Sequence, residues 1–577
     1  MKNIFRARNI GITFWLAVHA SATISAADFS GYFQQQSEQS LIPSLLSERE
    51  EETFKRIFNA IDAQEWALVE GLIASESSSL LYAFSLAEYY THPNSPIVNA
   101  DAIRDWLVIG RTLPQAERLR QLGLTRGLTR DLQAPELLPM SRAPSRTRRS
   151  RPPTIRDGTM PEDFRNRILM HISNDRPDLA MQLLEDVEGR LSGAALAEWR
   201  QRVAWSFYIE NDSHKALEIA QTVADGNGDW VAEGEWVGGL ASWRLGDCEL
   251  ASESFNRAAN TATEDELRAA AFYWAYRSLL RCGNPREATE QLHLAAQYDE
   301  TFYGMLAFEQ LGQVIPPDHE ESDLRLEEWL RVKDHYNIRV AIALVEIGET
   351  DAANEVLQHQ AKIGDPNEFV ILTKLARELG LPRAQLWLAI NVPFGSNPLA
   401  AANYPIVKWK PLSGWRIDPA LAFALALQES SFRENAISPA NARGLMQITP
   451  ITLREHAGRL NMNAQYVDLN DPSTNLTFGQ QNLEMLRDSP ATDGLLPKVL
   501  AAYNAGLLPV AKWNQEINDQ DDPLLYMESI PYWETRGYVN IVIRNYWMYE
   551  RQAGPGSESR RALAEGRWPK FPISSPS

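Results

Sequence analysis

Gln428–Pro450 reads QESSFRENAISPANARGLMQITP, directly after Asp418–Leu427, DPALAFALAL. Asp before Pro is a helix-opening pair: Asp caps, and Pro is tolerated at the first helical position. Ala420–Leu427 is apolar on every face, which predicts a buried helix. Glu429 then falls near its C-terminal end. Burial and the negative end of the helix dipole both disfavour a carboxylate there, so such a glutamate is poised to stay protonated and act as a general acid. Spacing alone favours an ordinary solvent-facing glutamate.

Three blocks in order change that reading. The first is Glu429-Ser430, Ser438-Pro439 and Gly444-Leu445-Met446-Gln447. The second is Ala501-Ala502-Tyr503-Asn504-Ala505-Gly506. The third is Glu528-Ser529-Ile530-Pro531 with Glu534-Thr535-Arg536-Gly537-Tyr538-Val539. Together they span about 110 residues, a normal domain size. The set resembles the signature of the soluble lytic transglycosylases, which share the goose-type lysozyme fold. Phe302–Ala307 resembles a further motif of that family.

The resemblance implies a peptidoglycan glycan strand as substrate. Glu429 is then acid and afterwards base, and the 6-hydroxyl of the sugar takes the place of water. It also implies that Tyr503 stands near the acid and that Ser438, Met446, Gln447, Asn504, Glu534 and Tyr538 belong to the substrate-binding groove, with Asn504 holding its loop. A two-carboxylate hydrolase needs a second acidic residue across the site. By sequence Glu434, Asp468, Asp471 and Glu534 are the candidates, and the first three have no motif behind them. Relatives often carry Met where this chain has Thr449, which puts one sugar subsite in question. A lysozyme-like hydrolase of the same fold and a non-enzymatic glycan- or protein-binding scaffold are the competing classes. An intact Glu429 with Tyr503 and Gln447 speaks against the scaffold.

At 577 residues the chain exceeds one core, and several domains or a repeat array are expected. Its net charge of −19 argues against nucleic acid or an anionic membrane as main partner. Lys2, Arg6 and Arg8, the short apolar run Ile10–Val18 and small residues at Ser25-Ala26-Ala27 predict a signal peptide cleaved near Ala27. The expected location is the periplasm, with no integral membrane segment after cleavage. No metal-ligand cluster or phosphate loop is apparent, the nine His residues are scattered, and no cofactor is expected. Cys248 and Cys282 either pair or stay as buried thiols.

The fold class read from the chain is all-α: a helical-hairpin superhelix, a helical linker domain and a C-terminal lysozyme-like domain. Ser47–Ile73 predicts a helical hairpin breaking near Asp62-Ala63. Ala180, Ala216, Ala251 and Ala288 recur every 35–37 residues, each after a turn (Asn174-Asp175, Asn211-Asp212, Gly246-Asp247, Gly283-Asn284). That period predicts stacked hairpins, a surface that also suits cell-wall protein partners. The expected divisions are residues 28–300 for the superhelix, 301–398 for the linker and 399–577 for the catalytic domain. Residues 134–161, rich in Pro, Ser and Arg, are expected to form an exposed, mobile loop.

Overall fold

The computed structural model describes residues 31–33, 41–129, 132–143, 146, 148–313, 323–396, 399–554 and 556–573. The signal-peptide reading falls outside these residues. The described chain is helical almost throughout. Its named strands, Met140–Arg142 and Asn391–Pro393, form one antiparallel pair with Met140 opposite Pro393.

The hairpin array follows from the repeat. Asp175, Asn211, Gly246 and Gly283 all have positive φ (56°, 62°, 82° and 77°). These are residue types that tolerate the left-handed conformation, so each helix ends and reverses at the same phase. Asp212 and Asp247 then cap the helices that follow, accepting from the amides of Lys215 and Leu250. Ala180, Ala216, Ala251 and Ala288 are buried where a larger side chain would hold neighbouring helices apart. Cys248 and Cys282 are disulfide-bonded with their Cα atoms 5.6 Å apart. The bond joins the start of the helix Cys248–Thr261 to the end of Asp265–Arg281.

The hydrophobic cores are partitioned differently from the expected 28–300, 301–398 and 399–577 divisions. The helices Glu48–Asp62 to Ala116–Thr125 share one core with Leu326–Val332 to Pro382–Ile390. The helices of residues 162–310 share another with residues 404–571. The reason is the sidedness of the N-terminal helices. Phe54, Ile57, Phe84, Ile103 and Trp106 need a cover, and Val340, Leu344, Val356 and Leu372 supply it. Polar bonds repeat the pairing: Glu346 accepts from the amides of Leu45 and Leu46, and Asn337 donates to the Thr112 carbonyl. The hairpin near Asp62-Ala63 forms as Glu48–Asp62 and Trp66–Ser75.

The described residues of 134–161 are exposed in part, as their composition suggests, but are bonded to the rest of the protein at several points. They run as a strap from the N-terminal unit to the superhelix. The amides of Leu138 and Ala143 donate to the carbonyls of Lys362 and Ile390. Farther on, Ile155 donates to Glu198, and Pro153 accepts from the indole of Trp230. Proline suits this segment because it needs an extended path with few donors. One of its arginines, Arg149, bonds the buried acids Glu233 and Glu528, a pairing that composition cannot reveal.

Pro419–Glu429 lies in the second core against the long helix Trp533–Ala553. Asp418 caps it, bonding the Ala420 amide, and accepts from the Tyr546 hydroxyl at 2.9 Å. Phe302 stacks on Trp547 at 4.8 Å, joining the motif helix Phe302–Gln310 to the C-terminal domain.

Candidate active site

Glu429 is the last residue of its helix, as the motif requires. Beyond it the chain must turn at once. Ser431 and Phe432 do so in the left-handed region, φ 51° and 59°, with the Phe432 ring fully buried. Two consecutive non-glycine residues in that region are costly, and such strain concentrates at functional sites. The Tyr538 hydroxyl donates to Glu429 Oε1 at 2.6 Å. Burial pushes the Glu429 carboxyl up to about 7. The Tyr538 hydrogen bond pulls it back down, and the charge of Glu534 adds to the rise. Burial raises the phenols of Tyr503 and Tyr538 well above their ordinary range, so both remain donors.

The loop after Glu429 is built from its own polar atoms. Ser438 and Ala442 close a turn: the Ser438 amide donates to the Ala442 carbonyl, and the Ala442 amide to Ser438 Oγ, both at 3.0 Å. Gln447 sits at φ 50° and donates its side-chain amide to the Gly444 carbonyl at 2.9 Å. Gly444, at φ 72°, has no room for a side chain: an added Cβ would lie 2.1 Å from Asn475 Nδ2 and 2.3 Å from the Leu469 carbonyl. Asn475, wholly buried, ties the loop down. It accepts from the Met446 amide and donates to the carbonyls of Arg443 and Leu469. No motif pointed to Asn475. The available signal was an Asn inside an otherwise apolar helical face.

The predicted residues come together with one exception. Tyr503 donates to the Met446 carbonyl at 2.7 Å and lies close enough to Glu429 to feel its charge. Asn504 accepts from Thr535 Oγ1 at 2.6 Å, joining the second motif block to the third. Glu534 is exposed beside this junction. The exception is Met446, expected to line the groove. Its side chain is fully buried against Gly479, so it supports the loop from beneath and cannot touch a substrate. Thr449 caps the helix Pro450–Ala457 by accepting from the Thr452 amide at 3.1 Å. That gives a local reason for a polar residue at this position.

The other acids carry different duties. Asp471 caps Pro472–Arg487 through the Thr474 amide, and Asp468 bonds the Asn470 amide. Glu434 is pushed up to about 7 by burial, with Asp351 adding to the rise. A carboxyl so raised is only partly ionised at neutral pH. Among the described residues no set of three or more His, Cys, Asp or Glu is placed to hold a metal ion.

Comparison with known proteins gives a consistent picture. Residues 409–525 match the family described as Transglycosylase SLT domain. The chain is 27% identical over 379 residues to the soluble lytic murein transglycosylase of Escherichia coli K12, across 63% of this chain and 53% of that one. It is 36% identical over 140 residues to a putative soluble lytic murein transglycosylase of Haemophilus influenzae, 24% of this chain and 23% of that one. The chain thus spans about half the length of the Escherichia coli relative. The crystal structure of the 70 kDa soluble lytic transglycosylase of Escherichia coli superposes with a TM-score of 0.53 at 18% identity, covering 92% of this chain and all of that one. A 70 kDa soluble lytic transglycosylase in complex with bulgecin A gives 0.52 at 18% identity, covering 91% and 100%. The all-helical architecture is shared with these structures.

Proposed function

We propose, from the premise that residues 409–525 form an SLT-type transglycosylase domain, that the chain is a peptidoglycan lytic transglycosylase. It cleaves the β-1,4 bond between N-acetylmuramic acid and N-acetylglucosamine and leaves 1,6-anhydromuramoyl ends. The observation that carries this reading is Glu429. Its carboxyl is raised to about 7 by burial at a helix C-terminus and bonded by one phenol, so a substantial share of it is protonated at neutral pH.

In the proposed mechanism Glu429 gives its proton to the leaving glycosidic oxygen. The carboxylate so formed then takes the proton of the muramic 6-hydroxyl as that oxygen closes on C1. Proton count balances, and no water enters. The closure is intramolecular, which removes the entropy of fixing a separate nucleophile. Tyr538 steadies Glu429 in both states, and Tyr503 orients the loop through the Met446 carbonyl. Ser438, Gln447, Asn504 and Glu534 border the strand. Hydrolysis would require an ionised partner carboxylate. Asp468 and Asp471 are engaged in local caps, Glu434 is raised by burial to about 7, and Glu534, whose charge reaches Glu429, is assigned to the groove.

The proposed location is the periplasm. Among the described residues no helix is long and apolar enough to cross a membrane. The hairpin array offers a surface for cell-wall proteins. Digestion of purified sacculi in heavy-oxygen water tests the chemistry. Anhydro ends free of solvent oxygen are expected, and reducing ends carrying the label would make the chain a hydrolase.

A further inference from the structure

The arginine-bearing strap has a role that neither its composition nor the motif blocks assign. Arg149 reaches across the boundary between superhelix and C-terminal domain. One guanidinium nitrogen donates to Glu233 at 3.0 Å and another to Glu528 at 3.2 Å. The side chains of Glu233 and Glu528 are 3% and 0% exposed. The same guanidinium lies over the rings of Trp236 and Trp533, 4.7 and 5.7 Å from their centres. Glu528 spends its other oxygen on the Tyr303 hydroxyl at 2.8 Å and the Asn540 amide at 3.1 Å. Arg148, Arg151 and Arg536 are other cations close by, and Arg151 also lies over Trp533, at 5.8 Å, while Arg536 is the one that reaches the Glu528 backbone. Arg536 stacks on Trp205 and Trp533 and reaches only the backbone carbonyl of Glu528.

The helix Trp533–Ala553 is therefore gripped twice, at Trp533 by the Arg149 ring contact and at Asn540 by Glu528. Tyr538 lies between the two grips and donates to Glu429 at 2.6 Å. A hydrogen bond that short tolerates little movement: a shift of about 1 Å takes it out of range. Taking the bonded cation away from a wholly buried Glu528 is costly, because it breaks a buried ion pair from one side. Without Arg149 the Glu528 segment must rearrange, and the start of the helix moves with it.

We infer that Arg149 is a positioning residue for the reaction, acting from the strap through Glu528 and Trp533 to hold the Tyr538 hydroxyl on Glu429. The strap thereby makes the geometry of the acid depend on the superhelix being docked. This inference rests on the proposed transglycosylase activity. It is tested in the full chain with Arg149→Met, Arg149→Lys, Tyr538→Phe and the double variant Arg149→Met/Tyr538→Phe, on sacculi across pH 5 to 9.

Arg149→Met is expected to lower kcat by roughly 10- to 100-fold with a smaller change in KM. Its alkaline limb should move to higher pH, as it does when Tyr538 no longer bonds Glu429. Arg149→Lys should recover part of the rate. The double variant should be no slower than Tyr538→Phe alone, because both changes remove one contact. Losses that multiply, or Arg149→Met with wild-type kcat and an unmoved limb, overturn the inference. Should Arg149→Met fail to fold, Arg149→Lys with wild-type kcat and an unmoved limb overturns it equally. Carbon-13 titration of the Glu429 carboxyl, identified by its loss in Glu429→Gln, reads the same link without substrate. A wild-type chain that makes no anhydro ends refutes the activity. An Arg149→Met carboxyl that titrates like wild type refutes the positioning role.

Discussion

At Glu429 one side chain carries both the chemistry and a stability cost. Its carboxyl titrates near 7 in the folded chain and near its ordinary 4.5 when unfolded. Between those values the folded state holds the extra proton, so this site's contribution to stability falls as pH rises through that window. Activity needs the protonated form and should decline above about pH 7. Glu429→Gln should lower sacculus turnover by roughly 100- to 10,000-fold. The same change should raise the melting temperature at pH 8 more than at pH 5, which paired thermal melts will show. Glu434 and Glu550, also raised by burial to about 7 and about 8, act in the same direction, so the difference from wild type is the informative quantity. Tyr538→Phe removes the hydrogen bond that lowers the Glu429 carboxyl. Its pH–rate profile should therefore lose height and shift its alkaline limb upward.

Among the elements, the loop 436–448 has little regular structure and depends on a single buried amide. Asn475 satisfies the Met446 amide and two carbonyls from the Pro472–Arg487 helix. Asn475→Ala removes the bonds to the Met446 amide and the Leu469 carbonyl, while the Arg443 carbonyl keeps the Ile448 amide. The substitution should cost on the order of 3 kcal/mol, read as a lowered urea midpoint. Because Tyr503 bonds the Met446 carbonyl, activity should fall further than stability alone explains.

For the molecule as a whole, the C-terminal domain does not own all of its core. Phe302 stacks on Trp547, Arg544 pairs with Glu266, and Glu528 is completed by Arg149 and Tyr303. Cutting before residue 399 strands Glu528 without its cation, and breaking such a buried pair costs about 3–5 kcal/mol. Residues 399–577 alone should melt well below the full chain, with weaker cooperativity. A chain beginning at residue 132 restores Arg149 and Tyr303 but leaves the helices of residues 326–390 without the cover of 48–125, so it should recover only part of the loss. Equal melting temperatures for the fragment and the full chain would show that the interdomain contacts contribute little.

Local rules settled much of this protein. The Asp418-Pro419 start, the apolar helix to Glu429, the three motif blocks and the 35–37-residue hairpin phase are all legible in the sequence. Each depends on neighbours along the chain: caps, left-handed turn residues and side-chain spacing. Motif resemblance also pointed to Tyr503 near the acid and to Tyr538 in the substrate groove. Three things needed the fold. Cys248 and Cys282 meet because consecutive hairpins stack. Residues 48–125 take their core cover from 326–390, a pairing that no local pattern encodes. The strap is held because buried Glu233 and Glu528, 84 and 379 positions away from Arg149, give its charge a place inside. Composition describes what a segment is able to bury by itself. Whether a charge is buried depends on partners that only the tertiary structure supplies.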